Sequence, residues 1–90
     1  MELNNKTNPG AVKQSLQEFL IRNTGANRLR DSDDVFSLGL MNSLLVIHLV
    51  SFVEGEFGVL LRGHDLEPKH FRTVNALTEL ITSKMRSADA

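Results

Sequence analysis

Ninety residues at 41% hydrophobic and 23% charged content set the expectation of a single ordinary globular domain. A formal net charge of −1 speaks against nucleic-acid binding, which needs a basic footprint. The absence of cysteine excludes disulfides, a thiolate nucleophile and any cysteine-bearing zinc site.

The polar start, residues 1–8, is expected to be a flexible tail without the charged and apolar blocks of a secretory signal. Asn8-Pro9 then reads as a helix start, with Asn8 as cap and Pro9 at the first helical position. Val12, Leu16, Phe19 and Leu20 follow at helical spacing. Gly25 suits a left-handed stop. Residues 26–42 predict a long loop carrying Arg28, Arg30, the acids Asp31, Asp33 and Asp34, and then Val35, Phe36, Leu38, Leu40 and Met41. Loops beyond about 12–15 residues tend to serve function. A second helix is expected from Ser43 to about Phe57-Gly58, and one short helical turn over Asp65–His70. Thr73 is expected to cap a last helix with an apolar stripe of Val74, Leu77, Leu80, Ile81 and Met85. Residues 87–90 read as a tail, which leaves 9–86 as the domain. No segment alternates with period two, so the class is all-α. No apolar run approaches the roughly 18 residues of a membrane span, and a monomeric cytoplasmic protein is expected.

The second helix is apolar on two sides. At about 100° per residue, Val46, Leu49, Val50, Val53 and Phe57 form a core face, with Ile47 at its margin. Ser51, His48 and Gly55 point the other way, joined by Leu44, while Leu45 and Phe52 fall on the flank. Contiguous exposed apolar groups mark interaction sites. Ser43 opens this helix. As a nucleophile it would need a base in reach, and His48 lies about 140° further round. The G-x-S-x-G frame of a hydrolase elbow is also absent. A helix cap or an attachment point remain, the latter because a helix start favours a phosphate group. The acids Asp31, Asp33 and Asp34 do not make an EF-hand, since the sixth and twelfth positions are Phe36 and Asn42. His48, His64 and His70 follow no metal-ligand pattern.

Taken together, Phe36, Leu38, Gly39, Ser43, Leu44, the run Glu56-Phe57-Gly58 and the run Phe71-Arg72-Thr73-Val74 resemble an acyl carrier protein from Val12 to Met85. The resemblance implies a four-helix bundle with a long loop between helices 1 and 2 and a short third helix. It implies that Ser43 receives 4′-phosphopantetheine from coenzyme A and that an acyl group rides on the arm as a thioester. The chain would then have no catalysis of its own. Its partners would be a phosphopantetheinyl transferase, acyl-loading and acyl-modifying enzymes, and an acyltransferase or synthase that accepts the carried unit.

Three positions depart from the common family pattern. Asn42 stands where the family usually has aspartate, Gly39 lies four residues before Ser43 rather than three, and Leu45 and His48 occupy positions that are often acidic. The longer spacing resembles stand-alone carriers of D-alanine and of glycerate-derived extender units such as methoxymalonate. The Asn-Ser-Leu and Phe-Arg-Thr-Val runs resemble the latter most, which implies polyketide or related biosynthesis. Docking is expected at Asn42, Leu44, Leu45, Ile47, His48 and Glu54, more through apolar contact than through acid. Arg62 and Lys69 are candidates to flank the arm. An unmodified helical interaction module is the competing reading.

Overall fold

In the computed structural model, which describes residues 8–89, three α-helices carry the architecture: α1 (Pro9–Thr24), α2 (Ser43–Phe57) and α3 (Val74–Asp89). No strand occurs among the described residues. The expected tail over residues 1–8 lies, apart from Asn8, outside them. At the other end α3 continues through Asp89, so residues 87–89 extend the last helix and do not form the expected tail.

Local chemistry accounts for the boundaries. Asn8 accepts the Gly10 N–H through Oδ1 at 2.7 Å, with Pro9 just inside the helix. Gly25 ends α1 and Gly58 ends α2, both in the left-handed region (φ 76° and 69°). The Thr73 hydroxyl accepts the Ala76 N–H at 2.9 Å and so caps α3 as expected.

The expected short third helix resolves differently. Two 3-10 turns, Gly63–Leu66 and Pro68–His70, stand either side of Glu67. Proline disfavours helical backbone in the residue before it, and Glu67 is extended (φ −68°, ψ 145°). The segment is held down elsewhere. Phe71 is almost fully buried, and the Lys84 ammonium meets Asp65 at 2.7 Å, tying the first turn to α3.

The core joins Val12, Leu16 and Leu20 of α1, Leu49 and Val53 of α2, and Val74, Leu77 and Ile81 of α3. The segment after α2 alternates, with Val59 and Leu61 buried and Leu60 exposed, and Glu54 Oε2 accepts the Leu61 N–H at 3.0 Å. Residues 25–42 contain turns but no helix or strand, yet they are fastened at several points. Gln17 donates to the Leu29 carbonyl and the Asp31 carboxylate. Asn75 donates to the Asp31 carbonyl at 3.0 Å, and Val35 donates to the Arg72 carbonyl at 2.8 Å. Leu29 and Val35 are buried beneath these ties, whereas Leu38 is exposed.

Candidate functional site

Asn42, not Ser43, caps α2. Its backbone is extended (φ −144°, ψ 175°), its carbonyl accepts the Val46 N–H and its Oδ1 accepts the Leu45 N–H, both at 2.9 Å. Asparagine ranks with serine as a cap, so the sequence held this signal in the residue before the serine. Ser43 becomes the first helical residue. It is exposed, and among the described residues its hydroxyl has no hydrogen-bond partner. None of the described residues employs that hydroxyl.

Ser43 lies on the rim of a cleft of about 480 Å³. Val46 and Ile47 form one wall, Leu66, Pro68 and Phe71 another, and Phe36 reaches in from the loop. The Phe36 wall is set by a small network. Asp34 Oδ1 accepts the Phe36 and Ser37 N–H groups at 2.9 and 3.1 Å. Asp34 Oδ2 pairs with the Arg72 guanidinium at 3.1 Å, and that guanidinium sits 5.4 Å from the centre of the Phe36 ring. These contacts, led by the Ser37 N–H, hold the Asp34 carboxyl below its ordinary range. No motif in the sequence spells out the cleft, because its walls come from three separate segments.

The acidic loop residues are occupied in the same way. Asp31 meets Gln17 and, at 3.5 Å, Lys13, while Asp33 Oδ2 accepts the Arg30 N–H. Their chemistry fastens the loop.

The expected docking residues separate into two groups. Leu44 and Ile47 are 62% and 63% exposed, and His48 is exposed between them and the far side of α2. Leu45, expected on the flank and in the docking surface, is only 7% exposed and packs in the core. The buried stripe is Leu45, Leu49, Val53 and Phe57, rotated about 40° from the face expected on a regular helix. On that side Phe52 stacks on Phe19 of α1 with ring centres 4.5 Å apart and lies edge-on to Phe57 at 6.2 Å, an attraction that favours packing this flank inward. Ile47, on the other side of the helix, faces out. Glu54 is half-buried and holds the Leu61 N–H, and Asn42 is engaged as the cap. Arg62 is exposed, and Lys69 pairs with Glu67 at 3.7 Å.

An exposed strip thus runs from Ser43 through Leu44, Ile47, His48 and Ser51, with no carboxylate or permanently charged side chain on it. It can offer a reactive hydroxyl beside apolar contact area and an open cleft. No helix among the described residues is long and apolar enough to cross a membrane. A family model described as phosphopantetheine attachment site matches residues 12–81. No curated protein matches the chain.

Proposed function

The chain belongs to the phosphopantetheine-attachment family, and we propose that Ser43 is the residue through which it carries its 4′-phosphopantetheine arm. The observation that carries this reading is the Ser43 hydroxyl: exposed, without a hydrogen-bond partner among the described residues, and at the first position of α2 beside an apolar cleft. Domains of this kind work with phosphopantetheinyl transferases and acyl-handling enzymes.

The residues present suit the group. In the attachment step the Ser43 Oγ bonds to the β-phosphorus of coenzyme A, the bond to the 3′,5′-bisphosphate nucleotide breaks, and the hydroxyl proton passes to a base on the transferase. Ser43 would hold the resulting phosphodiester at a helix start whose first turn carries no acid. Beside it Phe36, Val46, Ile47 and Leu66 offer apolar surface to the aliphatic part of the arm. The arm supplies a terminal thiol for thioester chemistry, in a chain that has no cysteine of its own.

The carried group in this reading is a small acyl or extender unit for polyketide or related biosynthesis. Support comes from Asn42 and from the four-residue step between Gly39 and Ser43. Leu44, Ile47 and His48 form the contact face for the enzymes that act on the arm, and the absence of acid on that strip favours apolar docking over ion pairing.

The test is intact mass. The chain mixed with coenzyme A and a phosphopantetheinyl transferase gains one phosphopantetheine, and Ser43→Ala gains none. An unchanged wild-type mass removes the carrier assignment, and a modified Ser43→Ala moves the site. Protein from its own source carries a short acyl group on the arm, and long fatty acyl chains there would refute the proposed cargo.

A further inference from the structure

Asn42 and Ser43 are adjacent, and either side chain is chemically able to cap α2. The fold uses Asn42. Its Oδ1 takes the Leu45 N–H at 2.9 Å while the Ser43 hydroxyl, one residue inside the helix, bonds to no described residue. Resting on the reading of Ser43 as the attachment residue, we propose that Asn42 is a positioning residue for attachment. By holding the cap it keeps the Ser43 Oγ out of the helix's own hydrogen bonding and available to attack.

The consequence of losing that cap follows from helix geometry. Without Oδ1 the next side-chain oxygen along the chain belongs to Ser43. The helix start moves on by one residue, Ser43 takes up extended backbone, and its hydroxyl accepts the N–H three residues further on, that of Val46. The Val46 N–H in turn gives up the Asn42 carbonyl that it now holds at 2.9 Å. The hydroxyl that should react is then aimed at the helix's own amides and must break a hydrogen bond before it attacks. The Leu45 N–H, on a residue buried in the core, also loses its side-chain partner. Aspartate at position 42 restores the cap, since its carboxylate oxygen accepts the same amide.

This role differs from a docking contact. A residue that touches the transferase acts when the two proteins meet, whereas a residue that frees a hydroxyl acts on the bound carrier's reactivity and on the unmodified protein alone. The handover of the cap is therefore visible without any enzyme.

Thermal midpoints of the unmodified chain make the first test. Ser43→Ala in the wild-type background shifts the midpoint little, because the hydroxyl bonds to none of the described residues. In the Asn42→Ala background the same Ser43→Ala change removes the substitute cap and lowers the midpoint by a further about 4–8 °C. Equal effects of Ser43→Ala in the two backgrounds would overturn the handover.

Attachment kinetics, followed by intact mass with coenzyme A and a phosphopantetheinyl transferase, make the second test. Asn42→Ala lowers kcat about fivefold to tenfold, the cost of releasing one capping hydrogen bond, with KM for the carrier nearly unchanged. Asn42→Asp recovers the rate. A loss confined to KM, or Asn42→Ala modified at the wild-type rate, would overturn the positioning role. A wild-type chain that gains no mass removes the Ser43 reading itself, and the positioning role falls with it.

Discussion

Leu44 and Leu45 are neighbours in sequence and opposites in environment, 62% against 7% exposed. Replacing each by alanine separates docking from folding. Leu45→Ala deletes three carbons from a buried side chain, worth about 2.4 kcal/mol in transfer at about 0.8 kcal/mol per carbon. The void left beside Leu49 and Val53 adds to this, giving about 3 kcal/mol within the range for such changes. For a domain of this size that corresponds to a midpoint about 12–24 °C lower. It is also a large part of a stability of about 5–13 kcal/mol expected at this length. Leu44→Ala removes the same carbons from solvent and changes stability by about 0.5 kcal/mol or less. Urea unfolding followed by circular dichroism reads both. Under folded conditions the mass assay then shows Leu44→Ala modified more slowly through a higher KM. A Leu45→Ala protein with a wild-type urea midpoint would refute the placement of α2. A Leu44→Ala protein modified with wild-type KM would refute apolar docking at that leucine.

Four further outcomes follow from local features. Gly55 lies inside α2 with open space where a Cβ would stand, so Gly55→Ala raises stability by about 0.5–1 kcal/mol in urea melts. Gly39 is left-handed (φ 74°), so Gly39→Ala lowers it by about 1–2 kcal/mol despite equal space. Glu54→Ala leaves the Leu61 amide without its carboxylate and lowers stability by about 1.5–3 kcal/mol, and faster hydrogen exchange at that amide locates the loss. Asp34, held low chiefly by the Ser37 N–H, and Asp65, held low chiefly by Lys84, carry folded values below their unfolded ones. Their contribution is therefore complete above the ordinary aspartate value of about 3.9 and is lost as pH falls through the depressed folded values. Thermal midpoints drop across that acid window, and the drop is smaller in Asp34→Asn and in Asp65→Asn. An unchanged acid slope in both variants would refute the assignment.

What the sequence made legible, and what it did not, traces to the range of the forces involved. Caps and stops were readable because they are local. Asn8, Thr73, Gly25 and Gly58 each act within a few residues of the end they define. Pro68 was readable in the same way, although its effect on Glu67 divided one expected helical turn into two. The orientation of α2 was not local. A helix that is apolar on two sides, with a mean hydropathy far above that of α1 or α3, gives no sharp direction from periodicity alone. Its buried face is settled by tertiary packing, including the stack of Phe52 on Phe19, 33 positions earlier. The cleft was equally hidden, since Phe36 is placed by Arg72 across 36 positions of chain.

These two long-range contacts have a joint effect at Ser43. The α2 flank that carries the ring stack packs inward with Leu45 buried and Leu44 and Ile47 exposed, while Arg72 meets Phe36 at the cleft. Ser43 is thus flanked by an apolar contact strip on one side and an apolar cleft on the other. Between them Asn42 holds the cap, and the Ser43 hydroxyl bonds to none of the described residues. The site therefore depends on packing for its surroundings and on one asparagine for its reactivity. Substitutions at Phe19 or Phe52 should alter partner contact through Leu44 and Ile47, whereas substitutions at Asn42 should alter the attachment step itself.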